Sequence, residues 1–263
     1  MVATYEIYAI RYARLERTAW HNFLGGDEHD RPMPLDYYVW AILNGERTVI
    51  VDTGFDEVMA QRRGRQIVRP VAEGLKVIGI SPDEVEHIVI SHMHYDHAGN
   101  QDLFPRARYH VQDEEMAYCT GRCMGESDVG GVFDADAVSS MIHKVFAGRV
   151  QFHDGDDEIA PGITVHKVGG HTRGMQIVRV ATQRGWVVLG SDSAHFYANL
   201  EPGRPFPILD NLPAYVEAQR TALRLASSPQ HFIPGHDPLV LERYPGAKAG
   251  LEGVARLDRA PQA

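Results

Sequence analysis

Residues 87–100 read His87-Ile88-Val89-Ile90-Ser91-His92-Met93-His94-Tyr95-Asp96-His97-Ala98-Gly99-Asn100. The β-branched run from His87 to Ile90 is the composition of a buried strand. It passes without a break into three imidazoles and a carboxylate within six positions. Residues two apart in an extended segment point the same way, so His92 and His94 can reach one ion together. Asp96 and His97 follow in the turn, where the chain can aim them at a second position. Imidazole and carboxylate make a donor set suited to zinc, and less well to iron or manganese. Surface loops do carry histidines, but four ligand groups at this spacing behind an apolar strand go beyond that.

One catalytic zinc takes three protein ligands and keeps a position open, and two ions need more partners than this stretch supplies. The rest of the chain offers them in matching contexts. His171 follows Val168-Gly169-Gly170, Asp192 follows Trp186-Val187-Val188-Leu189-Gly190-Ser191, and His236 follows Phe232-Ile233-Pro234-Gly235. Each stands just past an apolar run and is set off by small residues. Strand ends converging on one rim would make a single site of them.

Further out, residues 5–12 alternate as a strand, and 37–43 and 47–51 form a hairpin about Asn44-Gly45. The hairpin ends at Asp52-Thr53-Gly54, expected to shape the turn beneath the site. Residues 20–34, rich in Gly, Asp, His and Pro, read as a loop in which Trp20, Phe23 and Met33 are candidates for a pocket wall. A helix is expected within 55–80, with Arg62, Arg63, Arg65 and Arg69 on a solvated face. Another is expected to start at Ser81-Pro82-Asp83-Glu84. Further strands are expected at 107–111, 150–153, 163–168, 175–181 and 186–189, and helices at 113–118, 134–146 and 213–225. Strands in two blocks with helices between them suggest packed sheets covered by helices. His110, His143, His153 and His166 lack ligand-like neighbours and read as structural or surface residues. Cys119 and Cys123 read as reduced structural thiols.

The 263 residues carry 26 Lys+Arg against 35 Asp+Glu, a formal net charge of −9, with 44% hydrophobic and 23% charged residues. That composition excludes wholesale disorder, and the acidity argues against a basic face for nucleic acid. No apolar run nears the roughly 20 residues of a membrane span. The first residues have no uninterrupted apolar stretch of the kind a signal peptide carries. The expectation is one domain over 1–263 in a soluble, cytoplasmic protein. It would act on a small molecule, without nucleic-acid or membrane partners, and as a homodimer if it self-associates.

The ordered set VDTG (51–54), SHMHYDHAGN (91–100), GGHTRGM (169–175), GSD (190–192) and PGHD (234–237) resembles the metallo-β-lactamase superfamily over roughly residues 37–240. The resemblance implies an α/β chain folded as an αβ/βα four-layer sandwich. It places His92, His94 and His171 on one metal, Asp96, His97 and His236 on a second, and Asp192 between the two. Retention of all seven implies a dinuclear hydrolase with two Zn2+ per chain, Fe, Mn or Co being the other candidates. In such an enzyme a bridging hydroxide attacks a carbonyl while the metals take up negative charge, and Asp96 can carry a proton.

Within the superfamily the chain looks most like the N-acyl-homoserine lactonase and 4-pyridoxolactonase group, which implies opening of a lactone. That group has a tyrosine three residues past the bridging aspartate. Here the position is His195, so His195, or Tyr197 two residues on, is the candidate to assist the carbonyl or leaving group. The alternative is another carbonyl substrate, a thioester in the manner of glyoxalase II or a cyclic amide, although residues 241–263 show no clear basic pattern for glutathione. An iron-dependent redox protein or a non-catalytic sensor is the other class.

Overall fold

In the computed structural model, which describes residues 2–262, the two blocks of strands form two sheets laid face to face. The strands in chain order are β1 (Glu6–Leu15), β2 (Leu35–Leu43), β3 (Thr48–Val51), β4 (Gln66–Ile67), β5 (His87–Val89), β6 (Arg108–Gln112), β7 (Val150–His153), β8 (Asp157–Ala160), β9 (Ile163–Lys167), β10 (Gln176–Thr182), β11 (Gly185–Leu189), β12 (Phe232–Ile233) and β13 (Val254–Arg256). The helices are α1 (Glu57–Arg63), α2 (Val71–Lys76), α3 (Tyr95–Ala98), α4 (Asp113–Cys119), α5 (Ser127–Gly130), α6 (Ala135–Phe146), α7 (Leu212–Leu225) and α8 (Leu239–Arg243). The first sheet runs β13-β1-β2-β3-β5-β6-β7, with β4 on β1, and the second runs β12-β11-β10-β9-β8.

Three apolar cores define the layers. Ile7, Trp40, Val51 and Val89 of the first sheet meet Val165, Val178, Val187 and Ile233 of the second. On the outer face of the first sheet, Tyr12, Ile50, Ile88 and Tyr109 pack against Met59, Leu75, Val138 and Met141 from the helices. On the outer face of the second, Ile177, Val188 and Phe232 pack against Ala222 of α7. This is the expected αβ/βα sandwich. Strands β3, β5, β6 and β7 are parallel, and β5 lies inside the sheet with Ile88 and Val89 buried on opposite faces, which is why it reads as an unbroken apolar run.

Some elements differ from the sequence reading. The single helix expected within 55–80 is two short ones. Asp56 caps the first through its side chain, Gly64 ends it at φ 64°, and β4 intervenes before α2. Pro82–Glu84 makes only a 3-10 turn, because Val85 is already extended and β5 begins two residues later. Both cysteines are free, and α4 ends at Cys119, so the two thiols share no helix face. No helix among the described residues is long and apolar enough to cross a membrane.

Candidate metal centre

Strands β9, β11 and β12 run in the same direction, so their C-terminal ends share one edge of the second sheet. The residues just past those ends, His171, Asp192 and His236, face the segment that leaves β5. There His94 is extended (φ −64°, ψ 155°) and starts α3, which lifts Asp96 and His97 into its first turn. Asp192 is the hub. Its Oδ2 lies 3.8 Å from His92 Nε2 and 3.2 Å from His171 Nε2. Its Oδ1 lies 3.0 Å from His236 Nε2 and 3.4 Å from His97 Nε2. His94 offers Nδ1, 3.0 Å from His171 Nε2, and Asp96 Oδ2 is 3.7 Å from His97 and 3.8 Å from His236. The ligand atoms thus fall into two sets, His92-His94-His171-Asp192 and Asp96-His97-His236, and a third, overlapping group joins Asp192 and His236 to His195.

The far nitrogens of these rings are tied down. His97 Nδ1 meets Asp52 Oδ2 at 2.7 Å, His171 Nδ1 the Ile208 carbonyl at 2.8 Å, and His236 Nδ1 the Asp36 carbonyl at 2.9 Å. His92 Nδ1 lies 3.1 Å from Ser91 Oγ. Fixed from behind, His92, His97 and His236 aim Nε2 atoms inward that are buried and have no hydrogen-bond partner, as is Asp192 Oδ1. Buried polar atoms are rarely left so. Imidazoles anchored at one nitrogen, with the other converging on a shared carboxylate, fit divalent cations.

Charge follows the same geometry. Burial, reinforced by neighbouring rings, holds His92 and His94 well below the usual imidazole range, in the neutral form a metal needs. For His97 and His236 burial is outweighed by carboxylates, Asp192 foremost, and the rings titrate higher than usual. Burial opposes ionisation of Asp192, but the surrounding imidazoles hold it well below the carboxylate range.

The backbone is shaped to this end. Asp52 (φ 62°) and Ser191 (φ 41°) occupy the left-handed region, which costs such residues about 1–3 kcal/mol. Asp52 is thereby aimed at Ser91 N, Ser91 Oγ and His97. A Cβ on Gly235 would sit 2.6 Å from Asp192 Oδ1, so only glycine lets His236 approach.

The structure brings His195 to the centre as well. Its Nε2 lies 3.0 Å from Asp192 Oδ2, and its ring stacks on Phe206 with centroids 3.4 Å apart. Burial pushes it down to about 3. Tyr197 is not brought there. Its ring lies under Arg243, its polar neighbours are Tyr244, Arg243 and Asp237, and it packs at the edge of the sheet cores. Tyr197 opens a separate 3-10 turn, 197–200, beyond the extended Ala194 and Phe196. Nor do Trp20, Phe23 and Met33 wall the cleft over the cluster. Its walls include Arg17, Tyr37, Arg63, Arg65, Phe206 and Ile208. Arg63 and Arg65 therefore lie on the cleft, whereas Arg62 is exposed beside Asp134 as expected.

Glu115 escaped the sequence reading. Fully buried in α4, it accepts from Met93 N (2.8 Å), Thr172 Oγ1 (2.6 Å) and Gly174 N (3.1 Å). It buckles the loop of His92 and His94 to the loop of His171. No local pattern distinguishes it from its neighbours Asp113 and Glu114.

Known proteins resemble the chain in the same places. Residues 33–240 match the metallo-beta-lactamase superfamily. An N-acyl homoserine lactonase of a Bacillus species is 26% identical over 244 residues, spanning 84% of this chain and 88% of that protein. Another, from Bacillus thuringiensis, is 28% identical over 195 residues, spanning 67% and 72%. Among solved structures, a quorum-quenching N-acyl homoserine lactone lactonase superposes with a TM-score of 0.74 at 21% identity, covering 91% of this chain and 95% of that one. A dizinc quorum-quenching lactonase in complex with a product gives 0.73 at 15% identity, covering 100% and 96%. These structures share the fold. With most of its length matched, and with the motif residues gathered at the strand ends, the chain belongs to the metallo-beta-lactamase superfamily.

Proposed function

We propose that this protein is a metal-dependent hydrolase that opens a lactone ring at a centre holding two zinc ions. The observation that carries the reading is Asp192, whose two oxygens face two separate imidazole sets. His92, His94 and His171 would hold one ion, Asp96, His97 and His236 the other, and Asp192 both. Two such cations provide a nucleophile from water near neutral pH and polarise a carbonyl. The chain supplies the rest. Asp52, Ile208 and Asp36 hold three of the rings in orientation. Asp96, which lines the cleft with its Oδ2 toward His97 and His236, is the chain's candidate to carry the proton released on attack. His195, neutral, fixed by Phe206 and lining the cleft with Nε2 toward Asp192, is placed to assist the ring oxygen as its bond to the carbonyl carbon breaks. A ring ester is favoured over a thioester or amide by the N-acyl homoserine lactonases among the relatives.

Proton release on a panel of lactones, with zinc-loaded protein against a chelator-stripped control, tests the reading without a chromophore. Metal-dependent turnover of at least one lactone is expected. Silence across the panel with about two metals bound would sink the lactone assignment and send the search to thioesters and cyclic amides.

A further inference from the structure

Three arginines overlook the metal centre, and none of them has a carboxylate in salt-bridge range among the described residues. Arg17, Arg63 and Arg65 all line the cleft that exposes His94, Asp96, His171, Asp192 and His236. Arg63 is spent on structure. Its Nη atoms donate to the Gly131 and Phe133 carbonyls, and its guanidinium lies 3.9 Å over the Tyr95 ring. The other two keep donors free. Arg65 gives Nε to Tyr95 Oη at 3.1 Å and one Nη to the Arg63 carbonyl, leaving its second Nη unused. Arg17 gives one Nη to the His21 carbonyl and leaves Nε and the other Nη unused.

This arrangement is costly on its own. Arg17 is held below its ordinary value by burial and then by the positive charge of Arg65, so the two guanidiniums feel one another. Arg65 itself is held above its ordinary value, its burial outweighed by Tyr37, Tyr95 and, last, Asp96, whose charge a bound cation would take up. In a chain with nine more acids than bases, two half-buried guanidiniums on a cleft whose carboxylates, Asp96 and Asp192, lie beyond salt-bridge range and belong to the metal cluster are unpaired charges of the kind that folding avoids. A ligand that brings its own negative charge resolves this, because the guanidinium fork matches a carboxylate or phosphate geometrically.

Resting on the lactonase reading, we propose that the substrate is a compact lactone bearing an anionic group, seated with its ring carbonyl over the centre and its anion between Arg17 and Arg65. The cleft leaves about 70 Å³ free, well below the roughly 300 Å³ at which pockets for drug-sized ligands begin. The tyrosine pair Tyr37 and Tyr95, linked at 3.1 Å, forms the wall on the arginine side.

The test compares γ-butyrolactone-γ-carboxylate with its uncharged carboxamide on the zinc-loaded enzyme. The carboxylate is expected to have the higher kcat/KM by roughly 10- to 100-fold, the range for a hydrogen bond to a charged group. Arg17→Gln and Arg65→Gln should each shrink that ratio and the double variant bring it near one, whereas Arg62→Gln should keep it. Equal turnover of both lactones overturns the anion assignment and leaves the lactonase standing. If neither lactone is opened, the lactonase reading is left to the wider lactone panel. Calorimetry with the ring-opened 2-hydroxyglutarate then decides the anion site by itself. Binding weakened about tenfold or more in both variants sustains it, and absent or unaltered binding removes it.

Discussion

His92, His94 and His97 leave strand β5 beyond its C-terminal end, while His87 opens the same strand and joins a second group of histidines. His87 Nδ1 lies 3.0 Å from His110 Nε2, His110 Nδ1 3.0 Å from His153 Nε2, and His153 Nδ1 2.7 Å from Asp157 Oδ2. These rings cross β5, β6 and β7 in a row. The carboxylate at one end sets the direction. Asp157 accepts from His153, which leaves His153 to accept from His110 and His110 from His87. Every nitrogen facing a neighbour is used. In the cluster the reverse holds, for the outward nitrogens are anchored and several inward ones have no partner. His110 and His153 are as buried as the cluster rings. Burial therefore does not make a histidine a ligand. What does is an anchor behind the ring and lone pairs that converge in front of it.

The sharpest break of this contrast is Asp192→Ala. It removes the group that both imidazole sets share, so metal content by elemental analysis should fall from about two ions per chain to less than one. The kcat/KM should drop by on the order of 10³ or more, about 4 kcal/mol of transition-state stabilisation. Full metal content in that variant would refute the shared-carboxylate reading. Asp52→Asn attacks the anchoring instead. Loss of the carboxylate behind His97 should cost roughly 10- to 100-fold in metal affinity, read by competition with a chelator, and unchanged affinity would contradict the anchor argument.

The row is probed by His110→Gln, which should leave metal content as it is. Burial, then the charges His153 and His87 would carry, push His110 down to about 3 from an ordinary 6.5. The folded protein thus refuses a proton that the unfolded chain accepts. The stability this confers is complete above pH 6.5 and fades toward pH 3, by roughly 1.4 kcal/mol per pH unit. Denaturant melts across that window should show the variant gaining on the parent as pH falls. A constant difference would mean that His110 does not titrate as the row requires. The smallest effect belongs to Tyr197→Phe, expected to change kcat/KM by less than about twofold. A large loss of kcat would return Tyr197 to the reaction.

The cluster was legible in the sequence because its signal is local. His92, His94, Asp96 and His97 lie within six residues, and each remaining ligand stands a fixed step past an apolar strand. The anchoring groups were not legible as such: Asp52 in VDTG read as shaping the turn, and its contact with His97 Nδ1 comes only from the structure. Glu115, the Asp36 carbonyl and the Ile208 carbonyl act through contacts distant in sequence, and a carbonyl has no residue signature. The histidine row went unread for the same reason, since its members come from three strands that only parallel pairing aligns. Strand β13, three residues paired with β1 from the far end of the chain, left too short a pattern to register. The arginines were read as a solvated face because helix periodicity says nothing of a chain that bends back at Gly64.

The ligands divide along the chain, with His92, His94, Asp96 and His97 made early and His171, Asp192 and His236 late. A ribosome therefore releases the first four long before the hub carboxylate exists, and His236 arrives only when β12 adds itself beside β11. A domain folds as a unit, so a nascent chain short of residue 236 displays an incomplete ligand set, with His92, His94, His171 and Asp192 present and the set of Asp96, His97 and His236 unfinished. Completion of that second set is thereby deferred to the last docking event. A chain stalled or cleaved ahead of residue 236 carries most of the motifs and none of the finished centre.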